Sequence, residues 1–400
     1  MYGAPMTFAA TRAAASARLD EFLPFAGRAY AANRNTDRGP DAVGTTSRLS
    51  PAIRHRLVTE AEVCTRVVAL HGLAAAEKFI QEVCWRSYWV GWLELRPAIW
   101  HRYCADVERL TQTLGDDRGL ERRYGAAIDG HTGIDCFDAW VVELRDTGWL
   151  HNHARMNFAS IWIHTLRLPW QLGADLFQRQ LLDACPASNT LSWRWVAGLQ
   201  TVGKTYAARA DIIRATSGGR FAVTAPLATA ADPLPADDIP SPHALRQPQL
   251  PDATLRTGLL ITIADLSPET LALPAVAAVA VVRTSGASGR QQSYAEEGLR
   301  DALARADDHG EAAAEWFDDV DPVDAVRDWA ARHRLRQVVT AEASVGPVAD
   351  QLDRLGAGLA GDRIGLIRLR RDWDAAAWPM ATKGFFAFKA AIPRLLAFRG

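Results

Sequence analysis

The sequence holds only five cysteines, Cys64, Cys84, Cys104, Cys136 and Cys185, and no two of them form a C-x-x-C pair. An odd and widely spread set excludes a disulfide framework and offers no zinc or iron-sulfur spacing, so the thiols read as core residues. Long hydrophobic runs are missing too: the alanine-rich stretch at 275–282 falls well short of a bilayer span. The N-terminus lacks the basic stretch and continuous apolar segment of a secretory signal, which predicts a cytoplasmic protein with no membrane partner. Neither a G-x-G-x-x-G fingerprint nor a P-loop occurs. Net charge is almost absent, at −1 from 45 Lys+Arg and 46 Asp+Glu, far from the basic balance of a strong nucleic-acid binder.

What is present is a globular composition, 48% apolar and 23% charged, in a chain of 400 residues, long enough to predict two domains. The charge is uneven. Residues 1–221 carry 26 Lys+Arg against 22 Asp+Glu and residues 222–400 carry 19 against 24, so the halves are +4 and −5; the first half is the better match to a polyanion. Seven prolines fall within 226–251, where periodicity disappears, and this stretch reads as a linker. Before it, apolar residues recur at three- and four-residue spacing over 60–70, 74–95, 135–147, 151–166, 174–182 and 191–199, which predicts helices. After it, short β-branched runs at 258–263, 276–282, 337–340 and 364–369 alternate with amphipathic stretches at 293–306, 323–333 and 348–359. Strand and helix in turn imply a largely parallel sheet. The fold predicted is multi-domain: an all-α domain over 1–224, a Pro-rich linker over 225–255, and a smaller α/β Rossmann-like domain over 256–400.

Ten of the fourteen tryptophans lie between Trp85 and Trp195. Any one of them reads as a core residue; their company of polar residues changes the weighing. The run TSRLSP at 46–51 brings three hydroxyls and several backbone amides to a loop-to-helix junction, with Pro51 suited to the first helical turn. Such a place caps a helix or accepts a phosphate. The run TGWLHNHARM at 147–156 opens a helix on which Asn152, Arg155, Met156 and Ala159 share a face. A buried Arg there needs a polar partner, and Asp183, in the following D-x-x-x-x-x-N-x-x-x-W-x-W run to Trp195, supplies one, with Asn189 as a neutral amide.

These motifs, with the E-x-x-W-R run at 82–86, resemble the FAD-binding domain of DNA photolyases and cryptochromes over 30–206, close to 180 residues in unbroken order. The resemblance implies an all-α photolyase-type domain with FAD as cofactor. It places Tyr30, Thr46, Ser47, Arg48, Leu49 and Ser50 around the adenine and pyrophosphate, and Phe79 and Trp149 beside the folded-back cofactor. Arg86 would reach the cofactor's polar middle, with Asn152, Arg155 and Asp183 about the isoalloxazine and ribityl chain. Glu82, Ala184, Cys185 and Ser192 complete the implied cofactor contacts. Asn189 falls at the position facing flavin N5. Trp193 and Trp170 match the inner members of the tryptophan chain that photoreduces FAD, with Trp100 and Trp92 as alternatives for the outer one.

For a flipped-out cyclobutane pyrimidine dimer, the resemblance implies a pocket lined by Glu82, Trp85, Asn152, Met156 and Trp195, with Arg34 facing DNA. A damaged dinucleotide extrudes cheaply and stacks on aromatic walls. The (6-4) photolyase pattern has histidines where this chain has Asn152 and Met156. Two departures stand out: Cys185 replaces a second aspartate, and His153 stands where an arginine is common. The order of domains also departs, since photolyases carry the α/β domain first; its end here, WPMATKGFFAFK at 378–389, is similar to the end of that domain, which implies a swapped order, with an unrelated Rossmann-like module as the alternative and an antenna chromophore of unknown identity left open. The activity implied is a deoxyribodipyrimidine photolyase-like lyase acting as a monomer on dimer-containing DNA. Glu82 would stabilise the dimer radical anion and Asn189 would tune the flavin. A cryptochrome-like photoreceptor without repair is the alternative, and a flavoenzyme with another small substrate a third reading.

Overall fold

The computed structural model describes residues 7–42, 46–283, 289–306, 314–318 and 322–397. The chain gathers into two compact units that interleave in sequence: one built on Phe25–Arg48 and Arg96–Ser241, the other on Phe8–Pro24, Leu49–Leu95 and Pro242–Gly400. The sequence predicts consecutive domains instead, because helical periodicity through 60–95 reports an amphipathic face and not the surface that face covers.

The first unit is helical. Asp117 caps Arg118–Asp129 by accepting from Gly119 and Leu120 N–H at 2.8 and 3.0 Å. Asp135–Thr147 ends on Gly148 at φ 67°, a left-handed C-cap conformation that a side chain would oppose. Asn152–Ser160 runs into one π-turn at Ile161–Thr165, closed by Leu166 N–H to the Ile161 carbonyl at 2.9 Å. Trp170–Gln180 and Pro186–Val196 pack side by side. Phe137, Trp140, Phe158, Trp162 and Trp193 form the fully buried centre.

The stretch rich in proline has no helix or strand, as rings without an N–H predict, yet it is bonded along its length. Ala228 N–H donates to Thr165 Oγ1 at 3.0 Å, Thr205 Oγ1 to the Ala231 carbonyl at 2.6 Å, and Leu234 N–H to the Ala197 carbonyl at 3.0 Å. Arg194 grips Asp237 through both terminal nitrogens at 2.7 Å. From residue 242 the partners belong to the second unit, as when Gln249 Oε1 accepts the Arg368 N–H at 2.9 Å.

The second unit holds a parallel sheet of strands β1 (Thr257–Ile261), β2 (Val276–Val282), β3 (Glu315–Phe317), β4 (Gln337–Ala341) and β5 (Gly365–Leu369), in the order β3-β2-β1-β4-β5. The predicted strands fall on β1, β2, β4 and β5; β3, three residues long, is too short to show a period. Helices Gly289–Ala306, Pro322–Arg332 and Pro347–Gly361 provide the connections from β2 onward. Chain order reverses between β1 and β4, and the carboxyl ends of strands at such a point form the customary ligand crevice. Here the Glu60–Glu94 segment belongs to the same unit and meets that edge. Gly72, at φ 70° and ψ 156°, breaks the segment into two helices. Gly91 lies so close to the residues after β5 that a Cβ would stand 2.7 Å from Trp378 Cα. Ser87 accepts the Trp373 indole N–H at 2.9 Å, and Arg56 grips Asp374 at 2.8 and 3.0 Å. Beyond β1 and β5, Arg371 grips Asp265 at 2.6 and 2.8 Å.

Since backbone cannot yield as a side-chain end can, Gly91→Ala is expected to destabilise the protein by about 1–3 kcal/mol, read as a lower urea midpoint; an unchanged midpoint would remove the close approach as a constraint.

Candidate functional site

In the first unit the TGWLHNHARM run is shaped before it presents any side chain. The Thr147 hydroxyl donates to the Glu143 carbonyl at 2.7 Å and accepts the Trp149 N–H at 3.0 Å, while the Gly148 carbonyl accepts the Leu182 N–H at 2.8 Å. This ties the turn to the segment carrying Asp183. His151 then caps the next helix: its Nδ1 accepts the His153 N–H at 3.2 Å, and Nε2 donates to the Arg34 carbonyl at 3.0 Å. One ring nitrogen must accept and the other donate, so His151 is neutral with its proton on Nε2. Burial, with His153 and Arg155 nearby, pushes it down to about 4 against the opposing pull of Asp37.

Arg155 donates Nε–H to the Leu150 carbonyl at 2.8 Å and both terminal nitrogens to the Asp183 carboxylate at 3.0 and 2.8 Å. The predicted partnership is present, in the fork geometry that fixes both groups. On the Pro186–Val196 helix, Asn189 donates to the Ala174 carbonyl at 2.7 Å and is buried. One turn on, Trp193 is enclosed edge-to-face by Trp162 at 6.2 Å and Phe177 at 5.2 Å. A Cβ at Gly173 would stand 2.3 Å from the Trp193 ring, so only glycine admits the indole there. Trp170 opens the helix that carries Gly173 and stacks with Tyr103 at 5.6 Å, which in turn meets Trp100 at 5.3 Å. Of the two residues open for the outer position, Trp100 lies in this unit and Trp92 in the other.

Elsewhere in the first unit, Arg48, itself at φ 55°, lies over the Trp149 ring at 5.6 Å and donates to the Gly39 and Ala42 carbonyls. Thr46 and Ser47 precede it, half-buried, and Tyr30 is buried. Asn152 is exposed and donates to Met156 Sδ at 3.6 Å; Trp195 leans on Tyr206 at 6.0 Å. Ala184 is half-buried, Cys185 buried and Ser192 exposed. The remaining predicted residues belong to the second unit. Leu49 and Phe79 are buried, Ser50 opens the helix Ser50–Arg54, and Glu82 is exposed. Arg86 donates to Glu60 Oε1 at 2.5 Å. Trp85 is stacked face to face on Phe385, with centroids 3.5 Å apart and planes 10° from parallel.

Periodicity gave no warning of a buried charge cluster beside His151. Arg220 faces Asp37 at 3.0 Å and Glu143 at 3.3 Å. A paired carboxylate is usually held below its ordinary value, yet burial and the neighbouring Asp37 push Glu143 up to about 7, outweighing Arg220 and Arg48. One guanidinium shared by two buried carboxylates cannot neutralise both, and Glu143 is the one left to hold a proton.

Residues 79–218 match the family described as the FAD binding domain of DNA photolyase. Among curated proteins, the chain is similar to the deoxyribodipyrimidine photo-lyase of Streptomyces griseus, 34% identical over 182 residues that make up 42% of this chain and 38% of that protein. It is also similar to the one of Escherichia coli, 31% identical over 177 residues, 41% of this chain and 35% of the relative. The matched region thus spans under two-fifths of these relatives' length. Among solved structures, a bacterial class III photolyase from Agrobacterium tumefaciens aligns with 25% identity and a TM-score of 0.38, over 52% of this chain and 43% of that one. A Synechocystis cryptochrome aligns with 21% identity and a TM-score of 0.40 over the same shares.

In the folded protein Glu143 keeps its proton to about pH 7, against an ordinary value of 4.5. Stability from this residue is therefore whole below pH 4.5 and lost as pH rises through 7. Glu143→Gln should match the parent protein near pH 4.5 and exceed it at pH 8, by on the order of 3 kcal/mol; urea midpoints that differ equally at both pH values would contradict the shift. Over residues 79–218, the chain is similar to the FAD-binding domain of DNA photolyases.

Proposed function

We propose that the protein is a blue-light-driven flavoprotein that splits cyclobutane pyrimidine dimers in DNA, acting as a cytoplasmic monomer. The observation that carries this reading is the Arg155–Asp183 fork on a turn pinned by Gly148, within the region that matches the photolyase FAD-binding family. The donor set suits a flavin: a carboxylate whose orientation is fixed by an arginine, a buried neutral amide at Asn189, and the small side chains of Ala159 and Ala184. When bound, reduced FAD would supply the light-driven electron that opens the dimer.

The chain's own residues have separable tasks. Arg155 and Asp183 hold one another, so neither needs to reorganise to receive a polar ring edge. Asn189, its amide nitrogen committed to Ala174, keeps a fixed orientation and brings no charge. Trp193, closed off from water by Phe158, Trp162 and Phe177, is the inner electron relay, with Trp170 next along. Arg48 and the 46–50 loop are proposed for the adenine and pyrophosphate. Asn152, Met156 and Trp195, with Glu82 and Trp85, are proposed to meet the dimer, and Arg34 the DNA backbone. A photoreceptor that lacks repair is the reading favoured by one observation, the ring of Phe385 already lying on the face of Trp85.

The purified protein should be yellow and, once reduced and lit with blue light, restore the absorbance of dimer-containing oligothymidine. Clean photoreduction without recovery would select the photoreceptor, and a colourless protein that takes up no flavin would overturn both readings. Arg155→Ala, which strands the buried Asp183 carboxylate, should sharply lower flavin content, since breaking such a pair costs about 3–5 kcal/mol. Trp193→Phe should retain flavin and slow its photoreduction by external donors; an unchanged rate would end its role as relay.

A further inference from the structure

Residues 375–400 contain two lysines, two arginines and neither Asp nor Glu. This cationic run is set in an acidic half of the chain, since residues 222–374 hold 15 Lys+Arg against 24 Asp+Glu, a net −9. Lysine is rare throughout, and Lys78, Lys383 and Lys389 are three of the four in the sequence. In the second unit they lie on adjoining elements. Lys389 Nζ meets Glu77 Oε1 at 3.0 Å, Lys78 is the next residue on that helix, and Lys383 leads into the helix Phe385–Lys389.

The short helix is firmly seated. Phe385 stacks on Trp85, and Phe388 meets Tyr88 at 5.7 Å with the planes 63° apart; both phenyl rings are buried. With 385 and 388 turned inward, the helical turn directs Phe386 to solvent, where its ring is 87% exposed, more than any other Phe, Trp or Tyr among the described residues. A lone exposed apolar side chain is ordinary. A rigidly held ring inside an acid-free cationic run combines a stacking face with charge. Lys383 is exposed and, among the described residues, forms no ion pair; the exposed Arg394 follows on the next helix, Ile392–Leu395. On the neighbouring helix Glu77 is answered by Lys389 and by the Gln81 amide at 2.8 Å, and Glu82 is the other carboxylate at this edge.

We infer that the face around Phe386 is a docking surface for an unpaired stretch of DNA, with Phe386 stacking on a base while Lys383 and Arg394 meet phosphates. The inference deepens the DNA reading, on which the choice of partner rests, and it adds residues that the photolyase resemblance does not assign. Aromatic rings beside cations hold single strands without regard to sequence, because every base has a face to stack and every link a negative charge. An anionic bilayer would attract the same cations. Insertion, however, needs several apolar side chains on one outward face, and here Phe385, Phe388, Ile392 and Leu395 are all buried. Trp85, proposed for the dimer, is the ring on which Phe385 lies, so the surface borders that site.

Fluorescence anisotropy of labelled, undamaged oligothymidine with the full chain, in the dark, tests this. Phe386→Ala should weaken binding by roughly 5- to 100-fold, the worth of one base stacked on an aromatic ring. It should leave the urea midpoint unchanged, because the ring already stands in water. Lys383→Ala should lower the slope of log affinity against log salt by about one. An oligothymidine affinity untouched by Phe386→Ala would overturn the inference, as would Phe386-dependent binding to phosphatidylglycerol vesicles with none to oligothymidine. Dimer opening under blue light is measured separately. Phe386-dependent binding without dimer opening would retire the proposed activity and keep the surface, whereas dimer opening with an affinity indifferent to Phe386 would do the reverse.

Discussion

A carboxylate taken wholly out of water must be answered by cations within hydrogen-bond reach, and in the second unit that requirement organises everything at the carboxyl end of the sheet. Glu60 has no exposure at all. Burial alone would raise it, but Arg56 at 3.2 Å and Arg86 at 2.5 Å outweigh burial and hold it below the usual carboxylate range. Arg56 then completes itself on Asp374, just beyond β5. Removing any one member would strand a buried charge, at a cost far larger than a lost surface pair. The Glu60–Glu94 segment is thereby fixed to this sheet, and Gly91 can meet Trp378 without a side chain between them.

The first unit solves a different problem, which is how to enclose large aromatic rings without voids. Trp193 fits because Gly173 offers no Cβ, and because Phe158, Trp162 and Phe177 stand nearly perpendicular to its ring. The same helix that carries Gly173 begins at Trp170, so the close approach that admits Trp193 also determines where Trp170 meets Tyr103. Around this aromatic centre the polar residues are held by short, local devices: the Gly148 C-cap, the Thr147 hydroxyl and the His151 cap.

Much of this was legible in the residues themselves. The break at Gly72 separates the predicted helices 60–70 and 74–95, because φ above zero is glycine's to adopt. The Arg155–Asp183 partnership was predictable since an arginine on an apolar face has few ways to be satisfied. What could not be read is whatever depends on contacts between distant stretches. Nothing in the local pattern says that 49–95 shares a unit with the sheet, that Phe385 lies on Trp85, or that Tyr103 follows Trp170. The Glu143–Arg220–Asp37 cluster was likewise hidden, because its members are 77 and 106 positions or more apart from one another in no repeating pattern; only burial gives them meaning.

The ion pairs at the carboxyl edge of the sheet have a further property that follows from their depth. Dissolved salt screens charges that face solvent and scarcely reaches pairs such as Arg56–Asp374, whose side chains are 7% and 8% exposed. Raising ionic strength should therefore leave this architecture standing while it weakens attraction between the cationic first half of the chain and any polyanion. Cohesion and long-range attraction, both electrostatic in origin, are thus governed by different dielectric surroundings and can be varied independently in solution.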